Sequence, residues 1–451
     1  MADIGFENVL GALDNVDLGR PVGRIVSISN AKIVVSGLSH IAAMGDLVRI
    51  VTAHGTCRGE ILALEGGEVS VLPDSPLEGM VLGARVILLG AATLAPDDSW
   101  IGSVVDPYGE AFGEGTRLPG MTRKRLTGVP LNPTRRRGLG PRLSTGLSVF
   151  NTLLPIVRGQ RIGLFAGSGV GKSTILSLLA QNLTADIVVI AMVGERGREV
   201  RDFVERVLGP RGMARTIIVA ATSDRSAALR RRCALAAMTV AEHFRDQGKH
   251  VLLMADSITR FADAHREIAV SCGEATGPGG YPASMSALIT ALSERAGPGV
   301  DGIGDITAIF TVLVAGSDMD EPVADILRGT LDGHVVLDRA IAERGRFPAI
   351  DVLRSVSRAL PDAADESENA LIGTARRLLG TYQRAELMIQ SGLYSHGSDP
   401  AIDAAIVAWP KLDAFVGRRE PKGVGDSFDA LRACIEPANK RRASAADTRQ
   451  P

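Results

Sequence analysis

Lys172, Ser173, Glu195 and Asp256 stand where side chains could do phosphate chemistry. Lys172 and Ser173 close the run Gly167-Ser168-Gly169-Val170-Gly171-Lys172-Ser173-Thr174. Glycines let backbone N–H groups turn inward and approach phosphate oxygens closely. A lysine at that point reaches the β- and γ-phosphates, and a serine hydroxyl ligates Mg²⁺. The ligands such a loop calls for are ATP and Mg²⁺. The strict pattern opens with Gly, and this chain has Ala166 there, a mild departure. An ordinary glycine-rich turn is the alternative for the loop taken alone.

Hydrolysis needs two further kinds of group. A second acidic residue must help hold Mg²⁺, and Asp256 ends the apolar run His250-Val251-Leu252-Leu253-Met254-Ala255. A strand's carboxyl end is where ligands bind in such sheets. Water must also be oriented, and Glu195 follows another apolar run, in Gly194-Glu195-Arg196-Gly197-Arg198-Glu199. Glu195 is the candidate general base, and Arg196 could touch the γ-phosphate. A charged helix start explains Glu195 equally well from spacing alone. Charge developing on the γ-phosphoryl group calls for another cation. An arginine supplied by a neighbouring subunit can be worth roughly 10³–10⁵ in rate. Arg260 and Arg358 are the candidates, each with a salt-bridged surface arginine as its plain alternative.

These residues need a scaffold. The apolar run 161–166 reads as a buried parallel strand. After the loop, Ile175, Leu176, Leu178 and Leu179 give a helical pattern. That strand–loop–helix order is the context a phosphate loop requires, and the helix N-terminus adds partial positive charge. Further strands are expected at 187–193, 216–221, 250–255 and 306–314, with helices at 226–247 and 258–270. The alternation predicts a parallel sheet covered on both faces.

The rest of the chain sets limits. At 451 residues it has room for about three domains. Its formal charge of −1 argues against a protein whose main business is neutralising a nucleic-acid backbone. Four scattered cysteines without a CxxC spacing suggest a reduced, cytosolic setting. The acidic start lacks the pattern of a secretory signal, and no apolar run approaches a membrane span.

Residues 1–19 place Phe6, Val9, Leu10, Leu13 and Val16 near helical spacing, an amphipathic segment for a partner or for the adjoining domain. Residues 20–95 carry short Val- and Ile-rich runs at 23–28, 32–35, 46–51, 59–64, 68–72 and 84–89, which predict a small β-barrel. No aromatic residue lies between Phe6 and Trp100, so the barrel has no stacking platform for bases. Residues 96–142 form a connector with the basic runs Arg123-Lys124-Arg125 and Arg135-Arg136-Arg137. They could meet anionic lipid or acidic partners, or pair locally with acidic surface. The alternating domain fills 143–380, a helical domain 381–436, and a disordered tail 437–451.

Together these stretches resemble the rotary-type ring ATPases, and within them the flagellar and type III secretion export ATPases, relatives of the F-type ATP synthase catalytic β subunit. The likeness spans roughly residues 20–435. It is carried by FAGSGVGKST, MVGERGREVRDF, HVLLMADSITRFADAHREIA, GGYPAS, DGHVVLDRAIAERGRFPAIDVLRSVSR and IQSGLYSHGSDPAIDAAI. Ala166 is usual in this branch.

The resemblance implies a fold: a small N-terminal β-barrel, a central RecA-like P-loop domain with a parallel sheet, and a C-terminal helical domain. It implies roles as well. Lys172 and Ser173 serve phosphate and Mg²⁺, within a loop of Gly167, Ser168, Gly169, Val170, Gly171 and Thr174. Glu195 is the catalytic carboxylate with Arg196 by the γ-phosphate, Asp256 serves Mg²⁺, and Arg260 faces the phosphates. Arg358 matches the arginine finger given to a neighbour, and Phe347 an aromatic packed on adenine, with a plain core Phe as its alternative.

A hexameric ring is expected, at the inner face of the cytoplasmic membrane. Its partners would be a stator-like protein at the N-terminal segment, a coiled-coil stalk, and chaperone–substrate complexes at an export gate. One departure lies in Gly273-Glu274-Ala275-Thr276-Gly277-Pro278-Gly279-Gly280-Tyr281, which lacks the usual Arg before Gly-Tyr. The expected function is Mg²⁺-dependent ATP hydrolysis energising flagellar export. Alternatives are an injectisome ATPase, an ATP synthase subunit, a termination-factor-type helicase, and a non-catalytic structural ring subunit.

Overall fold

The structure is a computed structural model and describes residues 19–29, 32–112, 119–314 and 319–447. The amphipathic segment expected at 1–19 lies almost wholly outside the described residues.

In chain order the strands are β1 (Val22–Ser29), β2 (Lys32–Ser36), β3 (Asp46–Thr52), β4 (Gly55–Glu65), β5 (Glu68–Pro73), β6 (Arg85–Ala91), β7 (Thr93–Leu94) and β8 (Val104–Val105). There follow β9 (Lys124–Arg125), β10 (Arg161–Ala166), β11 (Ile187–Glu195), β12 (Thr216–Thr222), β13 (Val251–Asp256), β14 (Ile306–Leu313), β15 (Gly333–Leu337) and β16 (Ile350–Ser357). The chain divides into two compact units, one of residues 1–135, 187–296 and 302–304, the other of 136–186, 297–301 and 305–451.

The first unit opens with a closed antiparallel barrel in the order β1-β2-β5-β4-β3-β6. Alternation decides its inside: Ile25, Ile33, Val35, Val48, Ile50, Ile61, Val69, Val71 and Val86 are all buried. The barrel meets the rest of this unit through Leu72, which packs with Ala228 and Ile268, and through Arg231, 2.6 Å from Glu60. The other layer is four parallel strands, with β11 between β13 and β12 and β8 beyond β12. Every residue of β11 and of β13 is buried, as a strand covered on both faces requires. The helix Ala227–Asp246 buries Cys233, Ala237, Met238 and Phe244. Within this helix Glu242 is paired with Arg295.

The second unit centres on β10, parallel to β14 on one side and to β15 on the other, with β16 antiparallel at the edge beyond β15. β15 and β16 were not anticipated. Helices Glu366–Gln390, Pro400–Val416 and Val424–Asp447 follow. The boundary expected at 380 falls inside the first of them, whose start is fixed by a capping box of Asp365 and Glu368. The tail expected to be disordered from 437 instead continues the last helix to Asp447. Its Ala, Lys and Arg residues are strong helix formers, which the polar composition masked.

One residue of each basic run pairs with a local acidic group. Lys124 meets Asp246 in the first unit, and Arg137 lies 2.7 Å from Asp305 in the second.

Candidate active site

The phosphate loop belongs to the second unit. β10 is buried from Ile162 to Ala166, and the chain leaves it into the loop. Gly169 and Gly171 hold φ +78° and +91°, a region open to glycine and rare for other residues. Gly171 caps the helix Lys172–Asn182, which anchors itself by burying Ile175, Leu176, Leu178 and Leu179. Ser168, Gly169, Ser173 and Thr174 are exposed, Lys172 is half-buried, and Val170 is buried as the loop's anchor. The loop therefore offers an open cradle at a helix N-terminus, which suits phosphate.

Phe347 stands beside this loop. A Cβ on Gly171 would come within 3.3 Å of its ring, and the ring is 52% exposed. Arg346 braces the turn that carries it, donating to the carbonyls of Pro348 and Ile350 at 3.0 and 2.8 Å. Arg346 also lies 2.9 Å from Asp413 on the helix Pro400–Val416. Phe347 is thus a supported, solvent-facing ring and not a core residue.

Arg358 sits at the other end of the strands. β10 runs parallel to β15 with Ala166 opposite Leu337, so the phosphate loop lies at the Leu337 end. Ser357 pairs with Gly333, and Arg358 N donates to Asp332 O at 3.0 Å, at the opposite end. The four steps of β15 alone separate them by about 13 Å. Arg358 is exposed, and its Nη2 donates to Arg328 O at 3.2 Å.

The acidic residues belong to the first unit. In the pairing of β11 with β13, Met192 is opposite Asp256, so Asp256 and Glu195 emerge at the same strand ends. Both are nearly buried, at 7% and 6% exposure. Ser257 caps the helix Ile258–Ser271 by accepting from Arg260 N at 3.3 Å. That cap turns Arg260 back over β11, where its Nε lies 3.6 Å from Glu195 Oε1. Arg196 goes elsewhere: its side chain is 80% exposed, and Glu199 lies 3.9 Å away. Sequence reasoning missed Ser257, Arg346 and the bulge at Gly194. The Ser-Ile-Thr-Arg run after Asp256 was the available signal for the first.

Each donor by itself has the chemistry the implied ion takes. Mg²⁺ keeps most of its waters and takes one or two protein oxygens plus phosphate. Ser173 is an exposed hydroxyl at the loop, and Asp256 is a carboxylate at a strand end.

The family model of the ATP synthase alpha/beta family, nucleotide-binding domain, matches residues 146–357. The T3SS EscN ATPase C-terminal domain matches residues 364–433. The flagellum-specific ATP synthase of Caulobacter vibrioides is 40% identical over 94% of this chain and 98% of its own length. That of Salmonella typhimurium is 43% identical over 82% of this chain and 84% of its own. The structure of the assembled ATPase EscN from the enteropathogenic E. coli type III secretion system superposes with a TM-score of 0.85. It is 34% identical over 92% of this chain and the whole of that chain. A second EscN structure, in complex with its central stalk EscO, superposes with a TM-score of 0.82 at 34% identity, over 92% of this chain and the whole of that chain. The chain belongs to the flagellum-specific ATP synthase family, the ATPases of flagellar and type III secretion export.

Proposed function

We propose that this chain hydrolyses ATP with Mg²⁺ in a homohexameric ring, each site finished by an arginine of the next subunit, to energise flagellar protein export. The single observation that supports this reading most is the position of Arg358, exposed at the strand end opposite its own phosphate loop. An arginine side chain cannot span that distance within one subunit, so a finger role for Arg358 requires a neighbour. A single sequence that supplies both Glu195 and Arg358 suits a ring of equivalent sites.

In this reading the loop 167–174 cradles the phosphates with its N–H groups, and Lys172 neutralises the β- and γ-phosphates. Ser173 and Asp256 are the residues that would hold Mg²⁺, and the ion would supply charge neutralisation on the phosphate oxygens. Glu195 orients the attacking water and takes its proton as the γ-phosphoryl group leaves ADP. Arg260 and the neighbour's arginine stabilise the charge that develops, and Arg196 moves toward the γ-phosphate only when nucleotide is present. Phe347 stacks on the adenine. The segment 1–19 holds a stator-like partner, and a coiled-coil stalk enters the ring, as the EscN–EscO complex supports for its own ring. The ring works at the cytoplasmic face of the membrane, releasing chaperones and delivering substrates to the export gate. The match of residues 364–433 to the EscN C-terminal domain keeps an injectisome as the second setting.

The test is ATP turnover per subunit against protein concentration for wild type, Arg358→Ala, Glu195→Gln and a mixture of the two variants. Turnover should rise with concentration, each variant alone should keep only a small residual turnover, and the mixture should recover activity at interfaces that join an intact Glu195 to an intact arginine. Full turnover by Arg358→Ala at every concentration would refute shared sites.

A further inference from the structure

β11 does not run straight into Glu195. Val193 is opposite Ala221 on β12 and Glu195 is opposite Thr222, so Gly194 is an extra residue bulged from the ladder. A bulge re-aims the side chain next to it. Gly194 holds φ +67°, which a residue with a side chain rarely adopts. Two arginine stems cross it: a Cβ there would lie 3.1 Å from Arg260 Cδ and 3.3 Å from Arg230 Cδ.

Arg260 is the cation beside the Glu195 carboxylate. Arg230 has no role yet. It stands on the helix Ala227–Asp246 and is only 17% exposed along its side chain. Its Nη2 donates to Glu267 Oε2 at 2.7 Å, and its Nε donates to Arg225 O at 3.2 Å. Glu267 shares the helix Ile258–Ser271 with Arg260, two turns further on and on the same face. Arg230 is therefore tied to the helix that carries Arg260, while its stem lies over the bulge that carries Glu195.

We infer that Arg230 is a positioning residue for hydrolysis, clamping the Gly194 bulge so that Glu195 and Arg260 keep their mutual aim. The inference rests on the assignment of Glu195 as the water-orienting carboxylate. Without the stem, Arg260 relaxes into the vacated space and the bulge loses its cover. Water activation then suffers, whereas nucleotide binding at the phosphate loop does not.

The experiment measures steady-state ATP turnover, and the affinity of a fluorescent ATP analogue, on the full chain. Arg230→Ala should lower kcat on the order of tenfold to a hundredfold, the scale of a misplacement near 1 Å, with affinity unchanged. Arg230→Lys keeps the stem and a charge for Glu267, and should restore most of the turnover. Glu267→Gln, at an exposed position that does not threaten folding, should lower kcat in the same direction by less. In a Glu195→Gln background, Arg230→Ala should remove none of the residual turnover, because the group it aims is gone. Wild-type turnover in both Arg230→Ala and Glu267→Gln overturns the inference. So does a loss of affinity as large as the loss of kcat, or a loss that repeats undiminished in the Glu195→Gln background. Those failures leave Glu195 in its role, whereas wild-type turnover by Glu195→Gln itself removes both readings.

Discussion

Arg260 Nε lies 3.6 Å from Glu195 Oε1, buried from water and outside hydrogen-bonding range. The contact is Coulombic, so Arg260 sits beside the carboxylate without a hydrogen bond from its Nε. In the proposed mechanism that arrangement suits Glu195 as the water-orienting carboxylate, with Arg260 as the cation beside it. Arg260→Ala should therefore lower kcat for ATP by about a hundredfold, the scale of losing one donor to a developing anion, with a smaller change in KM. Arg260→Lys should fall between, since it keeps the charge but not the planar fork. A KM raised a hundredfold with kcat intact would mean that Arg260 only binds the ground state.

The ring of Phe347 beside Gly171 leads to a prediction on affinity. An aromatic stacked on a base contributes about 1–3 kcal/mol, so Phe347→Ala should raise the KM for ATP about tenfold and leave kcat nearly unchanged. Phe347→Tyr should stay close to wild type. An unchanged KM in the alanine variant would mean that the ring packs on protein alone.

How much of this was legible in the sequence differs from residue to residue, for physical reasons. β10, β11, β12 and β13 were readable because a strand covered on both faces is a continuous apolar run. β15 begins Gly-His and is five residues long, and edge strand β16 alternates buried with exposed positions among Asp, Arg and Ser. Neither carries that signal. Glu195 and Asp256 could be named because each ends an apolar run. The partner of Glu195 could not, since Arg260 reaches it only through the cap at Ser257 and the bulge at Gly194. Those are backbone events that spacing does not encode. The opposite placement of Arg358 likewise depends on the antiparallel register of β16, which no motif specifies.

Arg295 and Glu242 form a buried pair, each side chain 6% exposed. Arg295 Nε and Nη2 donate to the two carboxylate oxygens at 2.9 and 2.7 Å, and Nη1 donates to Leu126 O at 2.6 Å. One arginine thus ties the helix Ala227–Asp246 to the connector. Breaking such a pair leaves the buried Glu242 carboxylate without its hydrogen-bonded cation, with Arg245 lying 4.0 Å away, so Arg295→Ala should destabilise the fold by about 3 kcal/mol. Replacing both partners by apolar residues, as in Arg295→Met with Glu242→Leu, should recover much of that loss. Denaturant midpoints of the two single variants and the double variant check this. A double variant as unstable as the worse single would mean that the pair's hydrogen bonds, and not the stranded charge, set the cost.

The divergent loop between the helices Ile258–Ser271 and Ser284–Glu294 is closed by a polar relay whose strength depends on pH. Ser284 Oγ donates to Glu274 Oε2 at 2.7 Å, and His265 Nε2 lies 2.8 Å from Ser284 Oγ. A hydroxyl has one hydrogen, so His265 must donate from Nε2, which leaves its buried Nδ1 unprotonated in the neutral ring. Burial, then the Arg231 charge, hold His265 below its ordinary 6.5, with Glu274 acting the other way. The bonds from Ser284 hold Glu274 below its ordinary 4.5. The signs agree. Below pH 6.5 an unfolded His265 takes up a proton that the folded one resists, so its contribution is lost as pH falls. The Glu274 contribution is complete above 4.5 and is lost as pH falls through its lowered value. Amide exchange in residues 272–284, corrected for its intrinsic pH dependence, should therefore quicken between about pH 7.5 and pH 5. Ser284→Ala should raise exchange at the higher pH and lose the Glu274 part of the profile, while the His265 part persists because burial and Arg231 set it. A profile that stays level in the wild type would show that the loop is held by its other contacts, the Tyr281 hydroxyl on Asp263 at 2.9 Å and the Arg266 guanidinium over the Tyr281 ring.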